Sequence, residues 1–137
     1  VEHVSLAYKG LQDTKYSMIQ NAEYINQFLI RAIQEDSTYG EAYALTALVK
    51  IILINNLTDT EVINIELEEV ENNVDLALYY DKENILALSE KVELLHIMSL
   101  KDQVDYNRDG RKIINDIADK LLTIAVSSYS VIEGEVL

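Results

Sequence analysis

The sequence contains no proline, no cysteine and no tryptophan, and only four glycines and two histidines in 137 residues. Average usage would place about seven prolines in a chain of this length. Their absence argues against proline-rich linkers and loop-dominated β architectures, and it suits helices joined by short turns. Without cysteine there is no disulfide framework, no thiolate zinc site and no thiol nucleophile. His3 and His96 are too few for a three-histidine metal centre. Cations are scarce as well: 11 Lys and Arg stand against 24 Asp and Glu, a net charge of −13. Such a segment repels phosphates, so no nucleic acid is expected to bind it. The longest apolar run, Ala42 to Ile54, has 13 residues with Lys50 inside it, too short for a bilayer span. No signal peptide is visible, and the chain starts at Val1 rather than Met. It therefore reads as a piece of a longer protein, with room elsewhere for further domains, a membrane anchor among them.

What is present is helical. Apolar residues make up 49% of the chain and charged residues 26%, the globular range, and one domain over 1–137 is expected. Met18, Ala22, Ile25, Leu29 and Ala32 alternate steps of four and three, which puts them on one helix face. Ile63, Leu67, Val70, Val74 and Ala77 do the same, each 45 residues after its counterpart. The offset continues with Asp36 to Asp81 and Ala42 to Ala87, so the chain carries an internal repeat. Helices are predicted near 2–11, 15–35, 40–55, 60–80, 83–100 and 110–126, with a short one towards the end. Thr58 to Glu61 reads as a capping box for the fourth helix, and Asp81 as the cap of the fifth. Short loops between amphipathic helices make antiparallel neighbours.

Ala32-Ile-Gln-Glu-Asp36-Ser37 followed by Glu41-Ala42-Tyr43 resembles the tetratricopeptide repeat. A second copy, Ala77-Leu-Tyr-Tyr-Asp81-Lys82 followed by Ala87-Leu88, resembles it more weakly. Ser37 and Lys82 stand where the family places proline, and Lys91 where it places a core leucine. The period of 45 exceeds the family's usual value of roughly 34. The resemblance implies an all-α fold of antiparallel helical hairpins stacked as a short right-handed array. Its copies would lie near 15–58 and 60–103, with a third hairpin or cap at 104–137. More narrowly, residues 7–51, opened by Ala7-Tyr8 and Gly10, look like the repeat region of CadC-type membrane-anchored winged-helix transcriptional regulators of bacteria. That likeness implies a periplasmic sensory or partner-binding domain, with DNA bound by another part of the parent chain. The same signature also occurs in cytoplasmic repeat scaffolds, so both compartments stay open.

In the tetratricopeptide register, Ala44, Leu48 and Ile51 would line a partner groove in one hairpin, and Ser89, Glu93 and His96 in the next. The family's carboxylate clamp needs Lys and Asn at such positions. The implied ligand is instead an apolar segment, one carrying basic residues, or a second copy of the chain. Leu48 and Ile51 also read as core packing on a neighbouring helix. A lone His96 is a pH switch only if it has a titrating partner. The predicted fourth helix carries Glu61, Glu66, Glu68, Glu69, Glu71 and Asp75 with no basic residue, which reads as a solvated face or a surface for a basic partner.

One loop has sharper chemistry. Asp105, Asn107, Asp109 and Asp116, with Gly110, match EF-hand positions one, three, five, twelve and six. Lys112 and Ile113 depart from that pattern, and Asp at twelve reaches less far than Glu. Calcium binding and an ordinary loop in which Asp109 caps the next helix are both open readings. No other cofactor is implied. An enzyme working through paired carboxylates is a further reading, but no Asp/Glu pair is set off by a nucleophile elbow, a glycine-rich phosphate loop or metal-ligand spacing, so the expectation is a non-enzymatic interaction or sensory domain.

Overall fold

Helix forms wherever apolar residues recur at three and four. The computed structural model describes residues 2–12, 18–100 and 110–136. They form α1 (Glu2–Gln12), α2 (Met18–Glu35), α3 (Gly40–Ile54), α4 (Thr60–Tyr80), α5 (Ile85–Leu100) and α6 (Arg111–Val136), with no strand among the described residues. The protein is thus all-α. The last helix is longer than predicted. One helix runs to Val136 where 110–126 and a separate short helix were expected, since no proline intervenes to end it.

The repeat is visible in the element ends. α2 and α4 end 45 residues apart, at Glu35 and Tyr80, and α3 and α5 begin 45 apart, at Gly40 and Ile85. It is visible in the core as well. Ala22, Ile25, Leu29 and Ala32 are buried, and so are their counterparts Leu67, Val70, Val74 and Ala77. The pair Ala42 and Ala87 is buried too. One pair breaks the match in chemistry: Leu45 is buried in the first copy, and Glu90 in the second.

Contacts group the chain into two compact units, 1–90 and 91–137. In the first unit α1 packs on α2, α2 on α3 and α3 on α4, and α1 also reaches α3. Val4 and Ala7 of α1 join Ile25 and Leu29 of α2 and Leu45 and Val49 of α3 in one core. Ala44, Ala77 and Ala87, all 0% exposed, form a second cluster against Tyr43, Leu78 and Leu86. Polar links reinforce the first core, where the His3 Nε2 lies 2.9 Å from the Glu35 Oε1 and the His3 ring stacks near Phe28. In the second unit Leu94, Leu95 and Ile117 are buried, while Leu122 and Val126 are exposed.

Side-chain acceptors shape the turns. The Asp36 Oδ1 accepts from the Thr38 amide at 2.9 Å and from the Thr38 hydroxyl at 2.6 Å. The hydroxyl bond, then the amide bond, holds the Asp36 carboxyl below its ordinary range. The Asp81 Oδ1 accepts from the Glu83 amide at 3.3 Å in the equivalent turn. Two capping assignments are corrected. The cap of α4 is Asp59, not Thr58: its carboxylate accepts from the amides of Glu61 and Val62 at 2.9 and 3.4 Å, a stronger acceptor than a hydroxyl. The cap of α5 is Asn84, not Asp81. The Asn84 Oδ1 accepts from the Ala87 amide at 2.8 Å, so the helix starts at Ile85 rather than near 83.

Gly40 is needed by close approach. A Cβ there would lie 2.9 Å from the Ala77 carbonyl oxygen and 3.0 Å from the Asp81 Cβ. Elsewhere in a helix Gly→Ala gains about 1 kcal/mol. Here the added methyl group forces backbone apart, and Gly40→Ala is expected to lower stability by about 1–3 kcal/mol in urea denaturation. An unchanged or raised midpoint would contradict this contact.

Candidate functional site

The α3–α4 junction places the turn after α4 beside the first turn of α3. There the first unit opens into a cleft of about 460 Å³. α1 supplies Tyr8, α3 supplies Glu41, and the turn supplies Asp81, Glu83 and Asn84. Ile85, Leu86 and Ser89 of α5 form the remaining wall. Glu41 stands in the first turn of α3, where the helix dipole favours an anion. Each of its two oxygens accepts a hydrogen bond. The Tyr8 hydroxyl donates to Oε1, and the Asn84 Nδ2 donates to Oε2 at 2.7 Å. The same Nδ2 lies 3.4 Å from the Asp81 Oδ2. Asn84 therefore caps α5 with its oxygen and ties two carboxylates with its nitrogen, a combination that aspartate cannot offer.

Asn84, which lines the cleft, is buried at 3% exposure, and Glu90, which does not line it, is buried at 2%. Burial first, then the hydrogen bond and charge of Glu41, with smaller effects of Tyr39 and Glu90, push the Tyr8 hydroxyl well above the ordinary phenol range. The Tyr43 hydroxyl is raised too, by burial and then by Tyr80 and Asp36. Tyr43 stacks on Tyr80 with centroids 5.8 Å apart and donates to the Ser37 carbonyl at 2.7 Å.

The acidic α4 is treated differently. Lys50 of α3 reaches the Glu69 Oε2 at 2.6 Å and the Glu66 Oε2 at 3.5 Å. Burial works against that ammonium, but the Glu69 hydrogen bond and the charges of Glu66 and Glu69 outweigh it and raise its pKa. The cation missing from this helix's own sequence comes from its neighbour.

The predicted groove residues divide. Ala44 and Ile51 are buried and Leu48 is half-buried, so these three spend their surface largely on the chain's own packing. Ser89, Glu93 and His96 are exposed, and of these only Ser89 lines the cleft. Glu93 and His96 belong to the second unit. Of the predicted calcium ligands, Asp105, Asn107 and Asp109 lie outside the described residues, and Asp116 is exposed on α6. Among the described residues no three His, Cys, Asp or Glu side chains converge as metal ligands. Among them, too, no helix is long and apolar enough to cross a membrane. Tyr8, Glu41 and Asn84 were not singled out from the sequence as site residues. The one available signal was the repeat itself, which aligns Asn84 with Tyr39 and Glu90 with Leu45. Comparison with protein-family models, with curated proteins and with solved structures found no match.

Tyr8 keeps its proton where an unfolded tyrosine loses one. Its contribution to stability is complete below about pH 10 and falls as pH rises above that value. In a phenolate absorbance titration, Tyr8→Phe is expected to remove one late-ionising group and leave that of Tyr43. The variant should also lose less stability than the parent between roughly pH 10 and 11.

Proposed function

We propose that the chain is a non-catalytic interaction or sensory domain, a helical-repeat module that receives a protein segment or a second copy of itself. The observation that carries this reading is the 45-residue repetition of helix ends and of buried positions. Stacked repeats of this kind form extended surfaces rather than enclosed reaction chambers. A tetratricopeptide-like stack is the arrangement we propose, supported by packing of each of α1 to α4 on its neighbour and by the contact of α1 with α3. The parent we propose is a bacterial transcriptional regulator whose DNA-binding part lies elsewhere, with this domain in the periplasm. The likeness at Ala7-Tyr8, Gly10 and Glu41-Ala42-Tyr43 supports that assignment.

The test is site-specific photo-cross-linking in cells that express the full parent chain. A cross-linking residue at Ser89 or Glu93 is expected to trap discrete adducts, while one at Glu68 on the acidic face of α4 traps none. An adduct twice the mass of the parent identifies a second copy as the partner. Absence of adducts from both Ser89 and Glu93 overturns the interaction reading.

A further inference from the structure

α6 carries two apolar rows where an amphipathic helix needs one. The first is Ile114, Ile117, Leu121 and Ile124, spaced three, four and three; Ile117 is buried and the others are half-buried. The second is Ala118, Leu122 and Ala125, spaced four and three, and all three are exposed. Leu122 is 64% exposed, and Val126, one turn on, 55%. In sequence the second row keeps its spacing through Tyr129, Ile132 and Val136. α6 has 26 residues and α5 has 16, lengths of about 39 and about 24 Å, so α5 is too short to run the length of α6. Charge limits what can cover the second row. Leu121 to Ile132 holds no Asp, Glu, Lys or Arg, and its 12 residues are the longest uncharged run in a chain of which 26% is charged. A basic partner would find no carboxylate there between Asp119 and Glu133. Two copies of a chain with net charge −13 repel wherever their charged surfaces meet, and a neutral row is where they can touch.

We propose that the second row of α6 is the seam of a homodimer, in which α6 pairs antiparallel with α6 of a second copy. The row covers about three heptads in the three-four spacing of a two-helix coiled coil. Ala118 and Ala125 let the helices approach closely, and Leu122 between them is the large side chain that packs across the seam. The ends of the helix set the orientation. Arg111 and Lys112 open it, and Glu133 and Glu135 lie near its close. Antiparallel pairing brings these opposite charges and the opposite ends of the two helix dipoles together, whereas parallel pairing sets like beside like. The seam goes beyond the face at Ser89 and Glu93: it gives a second copy a surface of its own and does not depend on that face.

The experiment is sedimentation equilibrium of the chain from micromolar to near-millimolar concentration, where a mass rising to twice that of the chain is expected. Leu122→Glu and Ala125→Glu each put an unpaired charge in the seam and are expected to weaken pairing about tenfold or more. Ile65→Glu, at an apolar position of α4 that is 58% exposed, is expected to leave pairing unchanged. All three replaced side chains are exposed, and circular dichroism checks that the fold is kept. Orientation is read from the distance between nitroxide labels, one per copy, since the chain has no cysteine of its own. Labels on Lys112→Cys are expected about 30 Å or more apart across an antiparallel pair, and those on Thr123→Cys, near the middle of the seam, much closer. A chain that stays monomeric throughout overturns the proposal. So does pairing that survives Leu122→Glu and Ala125→Glu, pairing weakened as much by Ile65→Glu, or labels on Lys112→Cys lying side by side. If Ser89 or Glu93 traps a partner in cells while the chain stays monomeric, the interaction reading stands and the seam falls. If the chain pairs through α6 and neither position traps an adduct, the reading of that face falls and the seam stands.

Discussion

Three alanines without exposed surface, Ala44, Ala77 and Ala87, hold α3, α4 and the start of α5 together. Methyl side chains let helix backbones approach closely, and Gly40 extends the same contact to the Ala77 carbonyl. That closeness carries the turn at Asp81 to Asn84 up to the first turn of α3. Only then can the Asn84 amide reach Glu41 and Asp81 at once. A larger residue at any of the three alanine positions would push helices apart, and interiors this dense have no slack to absorb it. The polar network at the cleft is thus a product of apolar packing beneath it.

The charge of −13 is spent in two ways. On α4 the acids Glu66 and Glu69 meet Lys50 of α3, and the ion pairs join two helices that also share a core. At the cleft, the carboxylates are held by neutral donors, a phenol and an amide, which fix their positions and leave their charge in place. The first arrangement serves the fold. The second leaves carboxylates beside apolar side chains in a cleft that opens to solvent.

Much of the helical layout was legible because helical periodicity is a local signal. Ala22, Ile25, Leu29 and Ala32 declare a buried face by spacing alone, and their counterparts repeat it. Cap identity was less legible. Thr58 and Asp81 are good cap residues by type, yet Asp59 and Asn84 stand where the backbone amides of the first turn point. Adjacent candidates of similar propensity are decided by local geometry that a sequence does not display. The cleft was not legible as a site. Tyr8 and Glu41 are 33 residues apart, Glu41 and Asn84 are 43 apart, and nothing in either interval signals their meeting. The groove expected from the family register pointed to Ala44 and Ile51, whose small or apolar side chains are buried in this chain.

The two aspartate-based turns bear on how fast the chain can reach this fold. Asp36 and Asp81 shape their turns through rotatable side chains that capture amides as the helices close. With a proline in the turn, the fraction of unfolded chains holding the wrong isomer would wait for isomerisation, over tens of seconds or more. Here no peptide bond in the chain has that handicap, since proline is absent throughout. The contacts of α1 to α4 are chiefly between consecutive helices, the topology that folds quickly. Refolding should be limited by helix docking, leaving the Asn84–Glu41 link, which joins distant parts of the chain, to form only as the helices come together.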